Sequence, residues 1–525
     1  MLSAVALVAS ADDANWKARR EALKNRERPI IYNTDGCDML YYPASEPITP
    51  AAFNAIRLTR YPKTKISTVY YCPQSSGFGF FTTRKAGEFN NRQVPIRKEV
   101  RNAAGDFAKI GTDALEMAVD FCHTNGLEVF VSVRVNDTHD SYLPPELKQL
   151  SSHPLFPPFK EAHPDCLFGA RERGKTPPFC AWSAVDFARE EVRAHMRKFV
   201  RDLVENYDVD GIEYDFQRHF QLFKSVAWGG TASEAELSLM TAFMVELRTI
   251  TEEVGKRRGR PILVSIRTQD SLGYNRDAGI DLERWLEKGV ADLWSMTSYY
   301  RLEDWESSVA LARKYGVKCY AVLDESRIER KARRMADKGA RCIPGRNTVP
   351  FNMARFAAVA AAGFDGVELF NLDDVWAKSG PIVNTDPRQT DGFDKLYFAV
   401  DRGTGGYEPG RFVKGGMKYW KLPKIIPSEL YRIAAGRPER FRISMGEKPT
   451  AKVRATALAL VGTKTQLPAV LKINGQAARL TAFSDGLYTF ELPAGSWKLG
   501  PNEFEFTLEG EGEYLFNDFA VKFKY

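Results

Sequence analysis

A chain of 525 residues is too long for one ordinary domain and predicts a large domain plus an accessory module. Its 74 Lys and Arg against 67 Asp and Glu leave a formal charge of +7, with no basic tail or arginine-rich run, which argues against nucleic acid and mildly favours an anionic ligand. Seven cysteines form neither a CxxC pair nor a zinc spacing, so no structural metal is expected, and Cys166 with Cys180 is the one pairing worth considering as a disulfide. Walker A, GxGxxG and GxSxG patterns are absent, so phosphoryl transfer and serine hydrolysis are not expected and no cofactor is called for.

The first residues, MLSAVALVASADD, carry a short apolar run followed by Ala9-Ser10-Ala11, the small-x-small form of a signal cleavage site. Residues 1–28 are therefore read as the remnant of a signal peptide and an N-terminal segment, and the expected location is secreted or periplasmic. No stretch approaches the roughly 20 apolar residues of a membrane span.

From Pro29 onward short apolar runs alternate with amphipathic stretches, the signature of a βα-repeat fold. The runs are Ile30 to Asn33, Ile66 to Cys72, Leu127 to Asn136, Val209 to Phe216, Ile262 to Thr268, Ala291 to Ser298, Val317 to Leu323 and Phe364 to Phe370. Helices are predicted over Asp113 to His123, Glu190 to Asn206, Ser233 to Gly255, Asp281 to Lys288 and Asn352 to Ala362. Eight strands with eight connections make an α/β chain whose first domain is a (β/α)8 TIM barrel, residues 29–402. Leu396 to Val400 is expected to be its closing helix. A Gly-rich linker at 403–436 then leads to a C-terminal β-sandwich at 437–525, marked by short alternating runs and turns such as Asn474-Gly475 and Asp485-Gly486.

Side-chain parity gives each barrel strand an oily outside and a polar inside. In VDGIEYDFQR, from Val209 to Arg218, Ile212, Tyr214 and Phe216 face one way while Gly211, Glu213 and Asp215 face the other. Asp215 ends this strand at the face where barrel enzymes place their chemistry, so it is the leading catalytic candidate. Glycoside hydrolysis needs two carboxyl groups, and Leu323-Asp324-Glu325 at the end of strand seven offers Asp324 or Glu325 as the second. Glu213 lies one pleat deeper, and FDGVELFN repeats its setting with Glu368. Both suit substrate hydrogen bonding or support better than proton transfer, with Arg134 and Arg267 as the expected counter-charges.

Strand three ends in Arg134, Asn136, Asp137, His139 and Asp140, a density of donors and acceptors suited to sugar hydroxyls. Asn33, Asp35, Arg218, Tyr299 and Trp376 join the expected substrate-binding set, the aromatic pair because pyranose C–H faces stack on such rings. The long loops after strands two and three would wall the cleft.

The motifs RVNDTHD and VDGIEYDFQRH resemble those of the bacterial family-10-like glycosyl hydrolases, a group of secreted TIM barrels. The resemblance spans roughly Pro29 to Gly403 and implies a glycosidase acting on a polysaccharide, with Asp215 catalytic. A weaker similarity is to the DGxDxDxE strand of family 18 chitinases, in which Gln217 stands where those enzymes need an acidic glutamate. The resulting expectation is a glycoside hydrolase with a polysaccharide or oligosaccharide substrate and no nucleic-acid partner. Two alternatives stay open: a non-catalytic carbohydrate-binding barrel, and a metal-assisted hydrolase or deacetylase using Asp137, His139 and Asp140.

Overall fold

A computed structural model describes residues 2–34, 36, 38–74, 77–93, 98–141, 154–172, 174–217, 219–297, 300–324, 341–346, 348–370, 380–400, 408–425, 431–450 and 453–525, with the backbone alone for 2–12 and 324. Eight parallel strands close a barrel: β1 (Ile30–Asn33), β2 (Ile66–Tyr71), β3 (Glu128–Arg134), β4 (Gly211–Asp215), β5 (Leu263–Thr268), β6 (Leu293–Met296), β7 (Lys318–Asp324) and β8 (Gly366–Phe370). Each strand lies where the alternating pattern places it.

The chain divides into two compact units, the first of residues 1–297, 311–320 and 409–419, the second of 298–310, 321–408 and 420–525. In the first unit the strand interiors are layered. The lowest layer is apolar, a cluster of Ile31, Tyr70, Phe130, Leu263, Leu293 and Tyr320. Each fully buried side chain of this kind contributes about 1.5–3 kcal/mol. One pleat higher, Ser132, Glu213 and Ser265 are register partners, and another pleat up Arg134, Asp215 and Arg267 are. The barrel thus grades from oil to charge toward its C-terminal mouth. Gly211 is dictated by the lowest layer, since a Cβ there would lie 2.4 Å from the Phe130 ring.

Outside the strands, Phe216 meets Trp285 of helix α1 (Leu282–Glu287) at 5.3 Å between ring centres. Helix α2 (Glu190–Asn206) buries Val192, Met196, Phe199, Val200, Leu203 and Val204 at helical spacing, and its first-turn Glu190 and Glu191 complement the positive end of the helix dipole. Helix α3 (Glu234–Arg258) starts with a Ser233–Glu236 capping box and stops at Gly259, whose φ of +69° suits glycine. The N-terminal segment, expected as a signal remnant, forms helix Leu2–Lys24. Trp16 Nε1 donates to Glu252 at 2.6 Å, and past the helix end Arg28 makes a buried two-point pair with Glu128 at 2.6 and 2.7 Å. Among the described residues no helix is long and apolar enough to cross a membrane.

In the second unit two antiparallel sheets form the β-sandwich. The expected closing helix at Leu396 to Val400 is instead strand β9 (Lys395–Phe398), antiparallel to the last strand, β10 (Glu513–Lys524). Its alternation of Leu396 and Phe398 against Tyr397 is too short to separate helix from strand without knowledge of the partner. The sheet therefore recruits chain well ahead of the expected start near Arg437. The other sheet includes β11 (Glu439–Met445), β12 (Ala469–Ile473) and β13 (Gly500–Leu508), with β13 in the middle. Cys166 and Cys180 are both free thiols, so the considered disulfide is not formed.

Candidate active site at the barrel mouth

The site is assembled from the ends of β3, β4 and β5. Asp215 is 2% exposed. Its Oδ1 accepts the Gln217 backbone N–H at 2.8 Å, a turn that ends β4, and its Oδ2 lies 3.2 Å from the Arg267 guanidinium. Both oxygens thus face donors, which hold the carboxylate in one orientation at the strand end.

Below it, the Glu213 carboxylate accepts from Asn33 Nδ2 at 2.9 Å and Ser132 Oγ at 2.5 Å. Arg134 lies 3.2 Å from Asp137, and Arg267 lies 3.2 Å from Asp215. Asp210, from the same DG motif, sits at the other end of β4, where it accepts Val129 N–H at 2.8 Å and contacts His123 at 3.0 Å. Gln217 is fully buried and its Oε1 accepts from Gln269 Nε2 at 3.1 Å, a neutral amide pair where an acid would have been needed.

The loop leaving β3 folds around carboxylates. Asp137 is buried and accepts from Gly77 N at 3.0 Å, His139 N at 2.9 Å and Arg134 Nη1 at 3.2 Å. His139 Nδ1 lies 2.9 Å from each Asp137 oxygen. Burial alone would raise the Asp137 pKa, but His139, through charge and hydrogen bond, and then Arg134 and His219 hold it well below the usual carboxylate range. Nδ1 is thus the His139 ring nitrogen that faces Asp137. The His139 side chain is 34% exposed and that of Asp137 is buried, so of the two His139 is the one that a substrate can reach.

Asp140 does not join them. It is buried against Lys160, whose Nζ lies 3.0 Å from both of its oxygens and donates to the Asp137 carbonyl at 3.0 Å. Burial, only partly offset by Lys160, raises Asp140 to about 6. The alternative metal set of Asp137, His139 and Asp140 is therefore corrected: beside Asp137 and His139 it is His219 whose ligating atom lies within 4.8 Å of theirs. For a cation this set is poorly prepared, because the Asp137 oxygens already hold backbone N–H groups and the Arg134 cation.

Asn136 spends its amide on the backbone, donating to Val185 and Gln221 carbonyls at 3.0 and 2.9 Å and accepting Val185 N–H at 2.9 Å. It thereby pins the return of the long loop to the segment after β4. Asp35, Arg218, Tyr299, Glu325 and Trp376 lie outside the described residues, as does the side chain of Asp324, whose backbone ends β7. Glu368 is fully buried in β8.

Three residues at this mouth escape a reading of the sequence. His219 follows directly on Asp215-Phe216-Gln217-Arg218, and its Nδ1 accepts Thr138 N–H at 3.3 Å. Lys160 is distant in sequence from the acid it neutralises. Thr297, just past β6, is buried with φ at +69°, a strained conformation for a β-branched residue and one that collects at functional sites.

No protein-family model matches the chain, and no curated protein matches it. Among solved structures it is similar to the PgaB (BpsB) glycoside hydrolase domain from Bordetella bronchiseptica, at 11% identity over 68% of this chain and 97% of that one, with a TM-score of 0.39. A family GH18 chitinase from Chromobacterium violaceum gives 12% identity, 94% and 91% coverage and a TM-score of 0.35. A GH36 α-galactosidase from Geobacillus stearothermophilus gives 14%, 93% and 58%, and 0.35. The similar structures are thus glycoside hydrolases of several families. At such scores they carry no argument about the site, which rests on its own geometry.

Proposed function

We propose that this protein is a glycoside hydrolase of the family-10-like kind, exported and acting on a polysaccharide or oligosaccharide. The observation that carries the reading is the juxtaposition of Asp215, aligned with Arg267, and the Asp137–His139 dyad on the adjoining strand end, with Arg134 and Asp215 as register partners. In this reading His139 is the proton donor to the leaving glycosidic oxygen, its ring held in place by Asp137 at Nδ1. Asp215 supplies the second function, attacking the anomeric carbon or activating water, beside Arg267. The carboxylates expected at the end of β7, Asp324 and Glu325, are the competing proton donors.

The test is reducing-end release on a panel of neutral and anionic glycans with Asp215→Asn, His139→Gln, Asp324→Asn and Glu325→Gln, one at a time. Loss of turnover with Asp215→Asn and with His139→Gln supports the reading. Full activity in both sinks it, and loss confined to Glu325→Gln or Asp324→Asn moves the donor to β7. Binding of glycans with no release from any of them would mean a carbohydrate-binding barrel.

A further inference from the structure

The second unit contains two cavities that share a wall of Lys421, Leu422, Pro423 and Arg442, so they form one elongated cleft with compartments of about 180 and 870 Å³. Seven Lys and Arg line it against four Asp and Glu, a net excess of three positive charges. We propose that this cleft binds a carboxylate-bearing polysaccharide chain. The proposal rests on the glycosidase reading only in naming a glycan.

The sequence builds the cationic wall by strand alternation. On β11, Phe441, Ile443 and Met445 enter the sandwich core while Arg440 and Arg442 face out. Across the sheet Arg440 pairs with Glu505 at 2.9 Å, Lys472 with the same Glu505 at 2.9 Å and Arg442 with Glu503 at 3.2 Å. Arg440 and Arg442 side chains are 75% and 56% exposed. Pairs this exposed contribute only about 0–1 kcal/mol, so ligand carboxylates exchange for the glutamates at little cost. In the smaller compartment Arg301 lies 4.4 Å over the Trp305 ring, and its buried Nε has no hydrogen-bond partner among the described residues. A planar guanidinium stacked on one face keeps its edge for a carboxylate.

The chemistry separates a glycan from a nucleic acid. Four acids interleave with the cations, which suits spaced charges better than continuous phosphates. Two of the rings that a base would need for stacking are already covered by cations, Trp305 by Arg301 and Phe351 by Arg355 at 5.1 Å.

The experiment uses the full chain in affinity electrophoresis and calorimetry, with polygalacturonate, neutral dextran and a thymidine oligonucleotide as probes. Polygalacturonate is expected to bind, with affinity falling about tenfold or more between about 0.05 and 0.5 M NaCl as the charges are screened, and dextran is not. The triple substitution Arg301→Ala, Lys421→Ala and Arg442→Ala should lower that affinity about tenfold, the equivalent of about 1.4 kcal/mol, with an unchanged melting temperature. Equal binding by the triple variant, no binding by the wild type, or tighter binding of the oligonucleotide overturns the proposal. Asp215→Asn is the separating control: it should bind polygalacturonate as the wild type does, so a failure of turnover leaves this inference standing and a failure of binding leaves the catalytic reading standing.

Discussion

His195 ties both long loops of the mouth to helix α2, and its titration should loosen them. The ring stacks on Phe159 at 4.3 Å and 24°, with Phe78 at 5.5 Å and Phe199 at 5.7 Å. Gly79 closes the cage, since a Cβ there would lie 2.7 Å from His195 Nε2. Burial first, then the charges of Lys198 and His163, push the imidazole down to about 4 from 6.5, with Asp202 opposing. A histidine whose folded pKa is depressed binds fewer protons than the unfolded chain in that window. Its contribution is complete above pH 6.5 and is lost as pH falls toward 4. At 1.36 kcal/mol per unit the full shift is about 3 kcal/mol, and partial access of water reduces this to about 2 kcal/mol. Urea unfolding of the wild type and of His195→Phe, compared at about pH 7 and about pH 4.5, isolates the term from other titrating groups such as Asp140. The wild type should lose about 2 kcal/mol more than the variant over that interval. Parallel losses would refute the argument.

Two further substitutions test how the barrel is built. Gly211→Ala forces a methyl into the Phe130 ring and should cost about 1–3 kcal/mol, read as a lowered melting temperature; an unchanged one would mean that Phe130 gives way freely. Arg28→Met strands a buried Glu128 and should cost about 3–5 kcal/mol, much of it recovered by adding Glu128→Leu. Equal instability of the single and double variants in thermal unfolding would contradict the pairing.

The barrel was legible because strands such as β3 keep a period-two alternation, with Val129, Val131 and Val133 outside and Ser132 and Arg134 inside. Asp215 was legible for the same reason, being the last inward residue of β4. What parity cannot give is partnership. Glu213 finds Asn33 and Ser132, residues far from it in sequence. The exchange of Asp140 for His219 beside Asp137 depends on Lys160, which sits on a different turn of the same long loop. Residues 395–398 failed as a helix because their partner strand lies at the far end of the chain.

Turnover by Asp215→Asn bears most directly on the account, because the substitution keeps the shape of a side chain that is 2% exposed and removes its charge beside Arg267. On a glycan that the wild type cleaves, kcat should fall by about a thousandfold or more, equivalent to about 4 kcal/mol of lost transition-state stabilisation, while melting temperature and polygalacturonate binding stay within error. Wild-type turnover in the folded variant would contradict the claim that Asp215 acts on the glycosidic bond.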